Sequence, residues 1–246
     1  MERRLYTAVD AARLIFAACI VAIHTHFSEA LSEDAGFWLQ QGFFRLAVPF
    51  FFVTSGFFLM EKIRSKGDAP GVIRTYVMRL IVPFIVCDVL NAVMNVIYNY
   101  MTQDTELRYA IIAVVSKGIW YPYGAMWYVA ALIIGALMLL PFLKAEPRRL
   151  GAALGIGAVL FAFALLCNNY FFIAGGTPLE SVLTGYMDTF VSARNGIFVG
   201  FFLLAVGMKA SEINSKRMEK ALHGPERGSG TGKTAVICVI LFAAYI

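Results

Sequence analysis

An all-α, polytopic transmembrane helical bundle is the fold that this sequence predicts, and three observations predict it. Hydrophobic residues make up 59% of the 246 positions and charged residues 15%, with a mean hydropathy of +0.70. So few charges cannot cover the surface of a water-soluble domain of this length. The apolar residues gather into runs of roughly 20, the length that crosses a hydrocarbon layer as a helix. Basic residues collect on alternate connections between those runs, as the positive-inside rule requires of cytoplasmic loops.

The first run, residues 9–28, is interrupted by Arg13 and is not followed by a small-residue cleavage pattern, so it reads as a retained span. The following spans cover residues 42–60, 76–100, 126–143, 150–172 and 189–208. A seventh run begins at Thr234 and has 13 residues in place at Ile246. The chain is therefore expected to be one membrane domain, 1–246, truncated within its seventh span. A shorter apolar stretch, 107–120, reads as an interfacial or re-entrant helix or as an extension of a neighbouring span. The most polar segment is 211–233. Its Gly228-Ser-Gly-Thr-Gly-Lys-Thr234 lacks the first glycine of a phosphate-binding loop, since Arg227 stands there, and no strand precedes it. It reads as a basic inner loop.

With the N-terminus in the cytoplasm, 16 basic residues fall on inner segments and two, Arg108 and Lys117, on outer ones. Topology thus accounts for the net charge of +5 without a nucleic-acid partner. Cys19, Cys87, Cys167 and Cys238 each sit alone in an apolar stretch, which suits small buried hydrophobes and suggests neither a metal site nor a disulfide framework.

Four basic or titratable residues lie inside or at the margins of spans: Arg13, His24, Arg45 and Arg194. An arginine at mid-bilayer costs at least ~2.5–3.5 kcal/mol, so such residues usually face a protein interior. Arg13 and His24 are 11 residues apart, about 20° past three full turns, so they share a face about 16 Å apart. Asp10 is placed to pair with Arg13 on that face, whereas His26 points elsewhere. Arg45, Trp127 and Arg194 fall in the outer parts of their spans, at the depth of His24, and the four are expected to line one outward-facing cavity. Singly, each has a plainer account. Arg45 and Arg194 can snorkel to headgroups, Trp127 can join an aromatic belt, and His24 can bond a neighbouring helix. Arg74 and Arg79 flank the inner start of the third span, where they read as positive-inside residues or as a site for a phosphate-bearing ligand.

Asp10-Ala-Ala-Arg13 followed by His24 resembles the first-helix signature of the type-three membrane acyltransferases. Further matches are Arg45-Leu-Ala-Val-Pro-Phe-Phe-Phe-Val-Thr-Ser55-Gly56, Arg79-Leu-Ile-Val-Pro83, Met126-Trp127-Tyr128 and Arg194-Asn195-Gly196. The segments 45–56 and 192–198 are also similar to the membrane domain of vancomycin-resistance serine racemases, in which a cytoplasmic racemase domain follows. The family usually has about ten spans, and its pair of closely spaced arginines before the third span is loosely met by Arg74 and Arg79.

The resemblance implies transfer of an acyl group, acetyl above all, from cytoplasmic acyl-CoA to a hydroxyl or amine of a cell-envelope glycan or small molecule, in a bacterial cell membrane and without a metal. In that reading His24 is the base and Arg13 works with it or guides the donor. Asp10, Arg45, Ser55, Trp127, Tyr128, Arg194 and Asn195 hold substrate, and Arg74 and Arg79 hold the acyl-CoA. The rival expectation is the serine-transporting or anchoring domain of a membrane-bound serine racemase, with Arg45 and Arg194 binding an amino-acid carboxylate.

Overall fold

The structure is a computed structural model, and it describes residues 7–25, 27, 33–102, 107–108, 111, 126–143, 148–190 and 192–223. The seventh apolar run, the glycine-rich loop and most of the 107–120 stretch lie outside the described residues. The described residues contain helices and no strand. They form α1 (Thr7–His24), a short α2 (Glu33–Phe37), α3 (Ala47–Lys66), α4 (Ala69–Thr102), α5 (Met126–Leu143), α6 (Arg148–Asn168), α7 (Pro178–Phe190) and α8 (Phe201–His223). A π-turn (Trp38–Phe43) and a 3-10 turn (Phe44–Leu46) carry α2 directly into α3. Among these residues, six helical stretches are long and apolar enough to cross a membrane. The architecture is the expected multi-pass bundle.

Several of the expected span limits move, the second span's at both ends, to Asp34–Lys66, and two of the shifts have a clear local cause. The third span starts seven residues earlier than its apolar run, at Ala69. Arg74 and Arg79 hide these first turns from a hydropathy reading, but local capping makes them helical. Gly67 ends α3 in a left-handed conformation (φ 67°) and its N–H bonds Ile63 O at 2.8 Å. Asp68 Oδ1 then accepts the N–H of Gly71 at 3.0 Å, starting α4. The sixth span starts later than expected. Thr189 belongs to α7, which ends at Phe190, and the membrane helix begins with a π-turn at Gly196. Between them Asn195 is extended (φ −142°, ψ −175°), and its side-chain oxygen accepts from Ile197 N and Phe198 N. That satisfies two of the backbone donors exposed at a helix start.

The centre of the bundle is the crossing of α3 with α8. A Cβ on Gly56 would collide with the Leu204 carbonyl, and one on Gly207 with the Val53 carbonyl. Only hydrogen at these positions lets the two backbones approach so closely, the packing that association in lipid rewards. Phe52, Leu59, Leu204 and Met208 fill the crossing and are almost wholly buried. By contrast, α4 beyond Val82 presents Val86, Val89, Val93 and Ile97 outward, a surface suited to acyl chains.

At the C-terminal end of α3, where it meets α8, the polar groups satisfy one another. Arg64 donates to Ser211 O at 3.1 Å and Ser211 Oγ at 2.7 Å, and it pairs with Glu61. Ser211 Oγ donates in turn to Glu61 Oε1 at 2.9 Å. Glu212, one residue on, bonds Lys209 and Lys216 at 2.8 and 2.7 Å. Ser211 is fully buried, so this network fixes the register of the central pair.

Candidate functional site

The half of the bundle around the end of α1 is arranged differently. The end of α1 is seated on the turns that lead into α3. Cys19 packs with Phe44 and Ala47, Phe16 lies 4.5 Å from the Phe50 ring, and Gln40 Nε2 reaches Ile23 O at 3.3 Å. The Gln40 bond matters because the last carbonyls of a helix have no partner within it. It fixes the turn that carries His24.

A cavity of about 300 Å³ opens between α1, α3 and α5. Ala17, Ile20 and His24 of α1 line it, spaced three and four residues apart as one helix face demands. Val48 and Phe51 of α3 form a second wall, and Trp127 and Tyr128 at the start of α5 form the third. The residues that line it are apolar apart from His24, Trp127 and Tyr128, each of which carries one polar function. No hydrogen bond ties the His24 ring among the described residues. An apolar chamber of this size with a few converging polar groups has the ordinary make-up of a small-molecule site.

The structure brings together His24, Trp127 and Tyr128 of the residues that the sequence singled out. Arg45 and Arg194 do not line the cavity. Arg45 lies in the 3-10 turn before α3 and has contacts of its own. Arg194 sits in the break before the last span, where its N–H bonds Ser192 Oγ at 3.0 Å. Its half-buried guanidinium has no partner among the described residues. Asn195 caps the helix start and donates to Tyr186 Oη at 3.2 Å, so its amide is engaged on both sides. Burial pushes the Tyr186 phenol above its ordinary pKa, and the bond from Asn195 opposes this.

Arg13 continues the His24 face one turn below Ala17. It pairs with Asp10 at 3.1 Å, and its guanidinium lies 4.4 Å from the centre of the Phe58 ring. It thus sits below the chamber, on a pillar between α1 and α3. Arg74 and Arg79 are exposed on the first third of α4, with no partner for either guanidinium among the described residues. Five residues apart, they point about 140° from one another.

Tyr76 of α4 was not marked by the sequence reading. Its hydroxyl is enclosed beside Ser55 and near Tyr128, and it lacks a hydrogen bond of ordinary geometry. A tyrosine near the inner end of a span reads as interfacial belt, and only packing from α3 and α5 reveals otherwise.

Comparison with known proteins supplies what geometry alone does not. Residues 6–246 match the sequence profile of a family described as an acyltransferase domain. An amino-acid racemase of Enterococcus faecalis is 29% identical over 216 residues, 87% of this chain and 29% of the racemase. A serine/alanine racemase of Enterococcus gallinarum is 24% identical over 211 residues, 85% of this chain and 30% of that protein. The chain therefore spans less than a third of the length of these relatives. No solved structure gives a significant match.

Proposed function

Because this chain belongs to the acyltransferase domain family, the type-three membrane acyltransferases, we propose that the His24 chamber is where an acyl group is transferred to a hydroxyl or amine. One observation carries the reading: an imidazole without a hydrogen-bond partner among the described residues shares a small apolar chamber with a tryptophan and a tyrosine. A nitrogen of His24 takes the acceptor proton as the acceptor oxygen or nitrogen attacks the acyl carbonyl carbon. The carbon–sulfur bond of a thioester donor then breaks, and the imidazolium returns its proton to the leaving thiolate. Arg13, held by Asp10 and Phe58 below the chamber, keeps a positive charge under the reacting centre.

In this reading the donor is acyl-CoA, acetyl-CoA first, entering from the cytoplasm past Arg74 and Arg79. Two unpaired guanidiniums suit its phosphates. The acceptor is a cell-envelope glycan or a small molecule reaching the chamber from outside. The N-terminus then faces a bacterial cytoplasm.

A second reading rests on the relatives. Two proteins called racemases align with most of this chain, which favours a membrane domain that transports serine for, or anchors, a racemase domain. In that case the unpaired Arg194 guanidinium binds a carboxylate.

One experiment separates the two. The full chain in lipid vesicles is supplied with acetyl-CoA and a panel of acceptors, and free thiol is measured beside uptake of labelled serine. Thiol release that needs an acceptor and is lost in His24→Ala supports the transferase. Serine uptake without thiol release supports the second reading and overturns the first.

A further inference from the structure

Threonines on these helices return their hydroxyls to their own backbone. Thr54 donates to Phe50 O at 2.9 Å, Thr75 to Gly71 O at 2.8 Å and Thr189 to Gly185 O at 2.8 Å. That is the usual resting place of a hydroxyl in an apolar helix. Ser55, the neighbour of Thr54, makes no such bond among the described residues. Its hydroxyl faces the phenol oxygens of Tyr76 and Tyr128, which also lie near enough to influence each other. These contacts are proximities rather than completed hydrogen bonds, since Tyr76 Oη is shut off from solvent and has no partner of ordinary geometry. Three helices thus bring three hydroxyls close together inside the bundle, and one of them, Tyr76 Oη, is enclosed without a partner of ordinary geometry.

An enclosed hydroxyl without a partner costs about 1–3 kcal/mol, more than a phenylalanine in its place. The arrangement also has a direction. Tyr76 is sealed, Ser55 lies between, and Tyr128 opens onto the chamber that holds His24. The Tyr128 ring is fixed by Phe52, edge-on at 4.6 Å, so its hydroxyl has a defined place in the wall.

We propose that Tyr128 presents its O–H to the carbonyl oxygen of the acyl group in the His24 chamber, with Ser55 and Tyr76 behind it as positioning residues that orient the O–H. The inference rests on the transferase reading and deepens it. As the acceptor oxygen attacks and its proton passes to His24, negative charge gathers on the carbonyl oxygen. Tyr128 donates a hydrogen bond to that oxygen and keeps its own proton. The carbonyl re-forms as the carbon–sulfur electrons leave with the thiolate, which takes the proton back from His24. Donors already in place, in a chamber of low polarity, stabilise such charge far more than water does.

The test is a double-mutant cycle read in turnover and in thermal stability. Tyr128→Phe lowers kcat by about 100-fold, the scale of one lost oxyanion donor. Tyr76→Phe lowers kcat by about 10-fold with KM unchanged, and its melting temperature equals or exceeds that of the wild type. The cycle decides whether Tyr76 works through Tyr128, because coupled residues do not add. In a Tyr128→Phe background, Tyr76→Phe has no further effect. A Tyr76→Phe protein with wild-type kcat overturns the proposal, as does a loss that persists in the Tyr128→Phe background. A lower melting temperature for Tyr76→Phe also overturns it, because the hydroxyl then serves the fold. The parent reading is judged separately by wild type against His24→Ala. If those differ while Tyr128→Phe matches wild type, only the present inference fails. If wild type releases no thiol with any acceptor, both fail.

Discussion

Polar groups at the two ends of the bundle are treated in opposite ways. Where the C-terminal end of α3 meets α8, Glu61, Arg64 and Ser211 bond one another, and Glu212 bonds Lys209 and Lys216. In the half that holds the chamber, the His24 ring and the Arg194 guanidinium have no such partners among the described residues, and the Tyr76 phenol, in the first third of α4, has none of ordinary geometry. Saturation in a poorly solvated place serves the fold, because each member would be costly alone. The network of α3 and α8 holds the central helix pair, and in the proposed reading the chamber receives a substrate.

Four substitutions bear on that contrast. The largest effect falls on the central crossing that both ends share. Gly207→Leu drives a side chain into the Val53 carbonyl, and no monodisperse folded protein is expected on size-exclusion chromatography. Recovery of a stable protein would show that the α3–α8 contact is not what organises the bundle. Next comes filling of the chamber. Ala17→Phe places a ring in a space of about 300 Å³. Turnover should fall by about 100-fold through displacement of the reactants, with the melting temperature unchanged. Full turnover would move the chemistry elsewhere.

At the inner end, Arg64→Ala leaves Glu61 and Ser211 without their shared donor. The expected loss is about 1.5–3 kcal/mol of stability, the worth of hydrogen bonds to a charged group. It is read as a lower midpoint in thermal or denaturant unfolding, with turnover per folded molecule intact. The smallest effect belongs to the cap of the last span. Asn195→Ala should cost about 1 kcal/mol, and a drop in turnover at unchanged stability would give Asn195 a role in substrate binding instead.

The sequence exposes these two ends unequally. Apolar runs locate the membrane helices because a span must carry its hydrophobic residues contiguously. The common face of Arg13 and His24 follows from 100° per residue along one helix. Limits fail where a polar residue acts as a cap, since Asn195 and Asp68 look like ordinary interruptions until their backbone bonds are seen. The Arg64–Ser211 bond joins residues 147 positions apart, and no local pattern carries it. Tyr76 is hidden for the same reason, because Ser55 and Tyr128 come to it from other helices. Equal depth groups His24 with Trp127, Arg45 and Arg194, yet depth says nothing of angular position about the bundle axis. Neither arginine lines the chamber.

The most direct test of the account places His24→Ala beside Arg64→Ala in the same vesicles, with thiol release from acetyl-CoA and thermal unfolding measured on both. A clean crossing is expected: His24→Ala keeps its melting temperature and loses turnover by at least about 100-fold, while Arg64→Ala melts earlier and turns over normally. Normal turnover in His24→Ala, or an early melt there, would contradict the claim that the outer imidazole is left unpaired for chemistry.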